Sequence, residues 1–158
     1  MCQFLSGIGF KNGDVITSDY TDRHELLILA YGLRETPAPR DNGWVRLEYT
    51  SDTKTDIDSY KLGIDETDIP SWVTDKVKEK WISKLRVRLK DMIIITGEKE
   101  ILLGGKYILG GDAKILQAYN VIIVEMWDSS QIDTIWGSSQ VSKMYGSSQA
   151  GTMYGQLK

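Results

Sequence analysis

Apolar and polar positions divide the chain into three stretches with different periodicities. In the first, Phe4 to Phe10 and Val15-Ile16-Thr17 are apolar runs on either side of Lys11-Asn12-Gly13-Asp14. Asn-Gly between two such runs predicts a hairpin, because both turn positions need a positive φ. Asp22 followed three residues later by Glu25 has the form of a capping box, and Gly32 stands where a helix C′ glycine belongs. Leu26, Leu27, Leu29, Ala30 and Leu33 fit one apolar face, which predicts a helix over residues 22–32. Thr36 to Gly43 holds two prolines and a glycine and reads as a loop. Val45, Leu47 and Tyr49 alternate with polar residues, as do Tyr60, Leu62 and Ile64. They predict two half-buried strands joined by the polar loop Thr50 to Ser59.

In the second stretch the period changes to four. Pro70 and Ser71 mark a helix start, and Val73, Val77, Trp81, Leu85 and Leu89 form one apolar stripe that must pack on the first sheet. In the third stretch the sequence repeats itself. Trp127-Asp-Ser-Ser-Gln131, Trp136-Gly-Ser-Ser-Gln140 and Tyr145-Gly-Ser-Ser-Gln149 follow one another every nine residues, with a truncated copy starting at Tyr154. Upstream, Leu103, Leu109, Ile115, Val121 and Trp127 fall every six residues. A parallel β-solenoid with coils of about 18 residues accommodates both periods, as three six-residue faces or two nine-residue faces. Trp127 then stacks on Tyr145, Trp136 on Tyr154, and Gln131 lies over Gln149, about 4.8 Å apart along the axis. Gly-Ser-Ser segments become the arcs, and Gly104-Gly105 and Gly110-Gly111 become tight corners. The predicted fold is therefore α+β. A head over residues 1–95 with antiparallel strands and two helices is followed by a short parallel β-solenoid over residues 96–158.

Composition adds exclusions. Of the 158 residues, 41% are hydrophobic and 26% charged, which is the balance of a folded globular chain. The net charge of −3 argues against a protein that coats nucleic acid. That sum hides a division: residues 1–71 carry 7 cations and 13 anions, residues 72–91 carry 7 and 3, and residues 92–158 carry 5 and 6. One Cys forms no internal disulfide, and one His builds no His-rich metal site. Asp52, Asp56 and Asp58 lack the glycine and terminal glutamate of an EF-hand loop, and the glycine pairs lack the Gly-Lys-Ser/Thr of a phosphate loop. No metal and no cofactor is expected. The start has no basic n-region, no apolar run approaches the roughly 20 residues of a membrane span, and there is no Asn-x-Ser/Thr acceptor. A cytoplasmic protein with no membrane contact is the expectation.

Three groups of residues carry candidate chemistry. Removal of Met1 would leave Cys2 with a free α-amino group, the arrangement of an N-terminal nucleophile. Met-Cys before a strand resembles class II glutamine amidotransferases and SOS-response-associated peptidases over about ten residues, and departs from the former at Gln3, where they carry Gly. The alternative is a buried structural thiol. His24, in the first turn of the first helix, could serve Cys2 as general base; the alternative is an exposed helix-start histidine. Lys76, Lys80, Lys84 and Arg88 form a basic face that could contact phosphates, with Trp72 or Trp81 stacking on bases. Alternatively that face is solvated, its charge balanced by the acidic first stretch. The ladder residues Trp127, Gln131, Trp136, Gln140, Tyr145, Gln149 and Tyr154 are expected to bond and stack between rungs.

Taken together, Cys2, Leu5, Ser6, Gly7, Lys11, Asn12, Gly13, Asp14, Val15 and the repeats from Trp127 resemble a family of uncharacterised phage and prophage proteins. Its members open Met-Cys-x-x-Leu-Ser-Gly, continue Lys-Asn-Gly-Asp-Val and end in aromatic-or-Met-Gly-Ser-Ser-Gln repeats. The helix start Thr21 to Glu25 is also similar, with Arg23 where the family has Ser. The resemblance implies a phage accessory gene, of host-takeover or anti-defence type, and brings no activity with it. The expectation is a non-enzymatic binding protein with an unknown protein partner. Its solenoid serves as spacer or self-association surface, because Tyr154 to Lys158 offers little cover for an open strand edge. A cysteine enzyme using Cys2 and His24, and a nucleic-acid binder using the face at 76–90, are the alternatives.

Overall fold

The computed structural model describes residues 4–38, 40 and 42–155. It divides into two compact units, Met1–Leu89 and Lys90–Lys158.

The first unit is an antiparallel sheet with a helix on each face. The expected hairpin forms: β1 (Leu5–Phe10) pairs with β2 (Val15–Thr17), and the turn closes with Gly13 N–H donating to Phe10 O at 2.9 Å, though Gly13 and not Asn12 takes the positive φ. The sheet is completed by β3 (Trp44–Thr50) and β4 (Lys61–Ile64) in the order β2-β1-β3-β4. Because side chains alternate along a strand, β3 sends Val45, Leu47 and Tyr49 to one face and Trp44, Arg46 and Glu48 to the other.

On the first of these faces lies α2 (Asp75–Met92), with Trp81, Leu85 and Leu89 buried. A side chain at Gly9 would come within 2.7 Å of the Trp81 indole, so only glycine lets the ring lie flat on the strand. Trp81 also donates its Nε1–H to Phe10 O at 3.1 Å. The helix starts at Asp75 rather than near Pro70, leaving Val73 outside it. Thr74 explains the later start: its Oγ1 accepts from Val77 N–H at 3.3 Å and its carbonyl from Lys78 N–H at 3.0 Å.

On the other face α1 (His24–Ala30) packs Leu27 against Ile8 and Trp44. Its apolar face differs from the expected one: His24 and Leu27 are buried, whereas Leu26 and Leu29 are exposed. The Asp22–Glu25 capping box does not form either. Arg23 takes the cap position without a side-chain bond, and Glu25 accepts from its own backbone N–H, which holds its carboxyl below the ordinary range. At the other end Gly32 terminates the helix as expected, with Leu33 N–H donating to Ile28 O at 3.0 Å.

The second unit is the β-solenoid. β5 (Ile93–Ile94), β7 (Lys106–Leu109), β9 (Ile122–Met126) and β11 (Gln140–Val141) stack into one parallel sheet. β6 (Glu98–Leu103), β8 (Lys114–Tyr119), β10 (Gln131–Trp136) and β12 (Gln149–Tyr154) stack into the other. Two faces per coil is therefore the correct choice of the two that the periods allow. Coil length varies: register advances 16 residues from Glu98 to Lys114, 17 from Lys114 to Gln131 and 18 from Gln131 to Gln149. Only the last coil, built from the nine-residue repeat, has the expected 18. The six-residue spacing upstream consequently mixes environments: Leu109, Ile115 and Val121 are buried, while Leu103 is 69% exposed. Interior columns run Ile115–Ile132–Ala150, Ala118–Ile135–Met153 and Leu109–Met126–Met144.

Corners need left-handed backbone, supplied by Gly111, Asp128 and Gly146 at one level after another and by Asn120 and Gly137 elsewhere. Asp128 Oδ2 accepts from Gly111 N–H and Asn120 Oδ1 from Ser138 N–H, both at 2.9 Å, tying each corner to its neighbouring coil.

Candidate functional site

The repeat residues form the stacks that their spacing predicts. Trp127 lies on Tyr145 with ring centroids 4.0 Å apart, and Trp136 on Tyr154 at 4.4 Å. Tyr119 extends the second stack beneath Trp136, at 5.7 Å. Its distance of 17 residues from Trp136 hides it from a nine-residue search. Gln131 is in register with Gln149, and Gln140 with Ile122. In the first two repeats the second serine acts mostly within its own turn: Ser130 and Ser139 donate to Trp127 O and Trp136 O, each at 2.7 Å. One bond between coils accompanies them, from Val121 N–H to Ser139 Oγ at 3.1 Å.

β12 has a partner on one side only among the described residues, in the order β12-β10-β8-β6. There the interior columns surface, leaving Met144, Tyr145, Met153 and Tyr154 between 37% and 59% exposed. The inner strands carry charge at their outer positions, where Lys114 lies 3.6 Å from Glu98 and 3.7 Å from Asp133. Between Lys143 and Lys158 no residue is charged.

In the first unit part of the basic helix is engaged by acids of its own unit. Lys84 binds Asp14 at 2.6 Å, Arg86 binds Asp58 at 2.5 Å, and Arg88 pairs with Asp19. The stem of Lys80 lies over the hairpin turn at Gly13, while Lys76 is exposed. Hydrogen bonds from Lys84 and then Asn12, with the Lys84 charge added, hold the Asp14 carboxyl below the ordinary aspartate range. A lowered folded pKa contributes stability above the ordinary range and loses it as pH falls through the folded value. Lys84→Met is therefore expected to move the Asp14 titration upward, as read by carboxyl-carbon NMR.

A polar cluster that sequence spacing does not reveal lies on the α1 face. His24 is 2% exposed and its Nε2 stands 2.9 Å from Leu47 O. A carbonyl only accepts, so Nε2 carries the proton and Nδ1 faces outward. Facing it are Glu48 on β3 and Asp65 just beyond β4, and the ligand atoms of the three lie within 4.8 Å of one another. Next to them Arg46 donates from its backbone and its guanidinium to Glu66 Oε1, each at 3.0 Å, also pairs with Glu35, and lies over the Trp44 ring. A cleft of about 490 Å³ is lined by Glu35, Asn42, Arg46, Asp65 and Glu66, among others.

His24 is thus buried rather than exposed, because α1 sets its first turn against the sheet within reach of the Leu47 carbonyl. Cys2 lies outside the described residues. Glu48 and Arg46 escaped sequence reasoning because they occupy the polar positions of an alternating strand, which read as its solvent face.

Among the described residues no helix is long and apolar enough to cross a membrane. Compared with protein-family models, curated proteins and solved structures, the chain matches none.

Proposed function

We propose that this chain is a non-enzymatic binding protein of phage origin whose solenoid self-associates through β12, with the head engaging a host or phage macromolecule from the cytoplasm. The observation that carries this reading is the edge itself. Among the described residues β12 is paired on one side only, with a surfacing apolar interior and no charge along the strand. Sheet edges that stay monomeric are usually blunted by charge, proline or cover, and this one lacks the first two.

A second copy of the chain is the fitting occupant. Gln149-Ala-Gly-Thr-Met-Tyr154 on β12 follows the pattern of Gln131-Ile-Asp-Thr-Ile-Trp136 on β10, so β12 offers a further strand the same ladder that β10 offers β12. Two such edges meeting about a two-fold axis pair as antiparallel strands. The engaged cations at Lys84, Arg86 and Arg88 favour this reading over nucleic-acid binding. The phage assignment draws on the resemblance of the opening residues and the repeats.

Light scattering on the full chain is expected to give a dimer or larger species. Met144→Lys with Met153→Lys places two charges on the edge at positions that are already exposed, and is expected to give a monomer. A monomeric wild-type chain at all concentrations, or an unchanged assembly in the double variant, overturns the reading.

A further inference from the structure

We propose that His24, Glu48 and Asp65 bind one divalent transition-metal ion, for which zinc is the best fit. Three observations converge on this site. The first is donor geometry. Tetrahedral zinc holds nitrogen and oxygen donors at about 2.0–2.2 Å, which places the donors roughly 3.4 Å from one another. His24 Nδ1 and Asp65 Oδ2 are already 3.7 Å apart, and all three ligand atoms fall within 4.8 Å. Asp65 is 62% exposed, so its side chain is not enclosed by packing at this position.

The second is the orientation of the imidazole. With Nε2–H committed to Leu47 O, the Nδ1 edge of the ring is turned toward the two carboxylates. A ligand histidine is characteristically fixed in this way by a bond from its other nitrogen to a backbone carbonyl or carboxylate. At 3.7 Å, Asp65 stands beyond hydrogen-bond range of the ring, so the contact is not already satisfied as a hydrogen bond.

The third is charge. Nδ1 and two carboxylate oxygens converging within 4.8 Å concentrate negative potential against a buried ring. A dication cancels both carboxylate charges and gives the lone pair a partner. The mixed donor set selects among dications: one imidazole nitrogen with two carboxylates suits zinc, whereas magnesium and calcium take oxygen ligands. Three protein ligands leave a fourth position for water, the arrangement of an open rather than a closed zinc site.

His24 is the only histidine in the chain, so its imidazole NMR signals are unambiguous in the unaltered protein. Titrating the full chain with zinc chloride is expected to shift those signals to an end point at one equivalent. Magnesium chloride at the same concentrations is expected to leave them in place. By calorimetry Asp65→Asn and Glu48→Gln are each expected to weaken zinc binding at least about tenfold, with unchanged circular dichroism for the exposed Asp65→Asn. Imidazole signals that stay in place at zinc saturation would overturn the proposal, as would equal affinity in both variants or equal binding of magnesium.

Discussion

Trp81→Ala is expected to lower the stability of the head by about 3–5 kcal/mol, the range for deleting a large buried aromatic. The ring is fully buried, lies against β1 where Gly9 leaves room for it, and meets Trp72 edge-on at 6.0 Å. Its removal opens a cavity and also leaves Phe10 O without the indole donor. Trp81→Phe separates the two contributions. It keeps most of the apolar volume and loses the hydrogen bond, so a smaller cost of about 1–2 kcal/mol is expected. Urea unfolding followed by circular dichroism reads both. Since a domain of this size is stable by only about 5–15 kcal/mol, the alanine variant is expected to be close to unfolded at physiological temperature.

Gly137→Ala is expected to destabilise the solenoid by about 2–5 kcal/mol. Two costs combine. Gly137 sits at φ +66°, where a side chain is strained by about 1–2 kcal/mol. A Cβ there also runs into Asn120 Oδ1, the atom that accepts from Ser138 N–H, and overpacking of this kind typically costs a further 1–3 kcal/mol, or about that. Gly155→Ala is the control: no atom lies within 4 Å of its added Cβ, and the expected change is within about 0.5 kcal/mol. Thermal unfolding of the two variants side by side distinguishes a corner requirement from a general sensitivity of the repeats to added bulk.

The parts of the fold that were legible in the sequence are those where local pattern and tertiary environment coincide. The Asn12-Gly13 hairpin, the Trp81-Leu85-Leu89 stripe and the Gly32 helix end are all local signals, and the structure uses each of them. Repetition was legible for a different reason. Identical neighbours impose identical environments, so Trp127 and Trp136 announce their stacking partners at a fixed distance. The signal fades as soon as coil length changes, which is why a strict period misses Tyr119 and misplaces the outward Leu103.

The polar cluster was illegible because none of its members is unusual where it stands. Glu48 occupies a polar position of an alternating strand, Asp65 follows a strand end, and His24 opens a short helix. Only the packing of α1 against the sheet brings these ordinary positions together. A lone histidine counts against a metal site when ligands are sought by spacing, but it does not when the other two donors are carboxylates far apart in the sequence. The α1 face was misjudged for a related reason: a seven-residue helix has too few turns for leucine spacing to outweigh where the sheet happens to offer contacts.

Self-association through β12 is the central claim, and amide hydrogen exchange on that strand tests it most directly. Parallel pairing with β10 engages alternate N–H groups of Gln149–Tyr154 and leaves the intervening ones facing outward. In the wild-type chain those outward amides are expected to exchange more slowly as protein concentration rises. At matched concentration they are expected to exchange more slowly than in the Met144→Lys, Met153→Lys variant. Outward amides that exchange at the same rate at every concentration and in both proteins would contradict the claim.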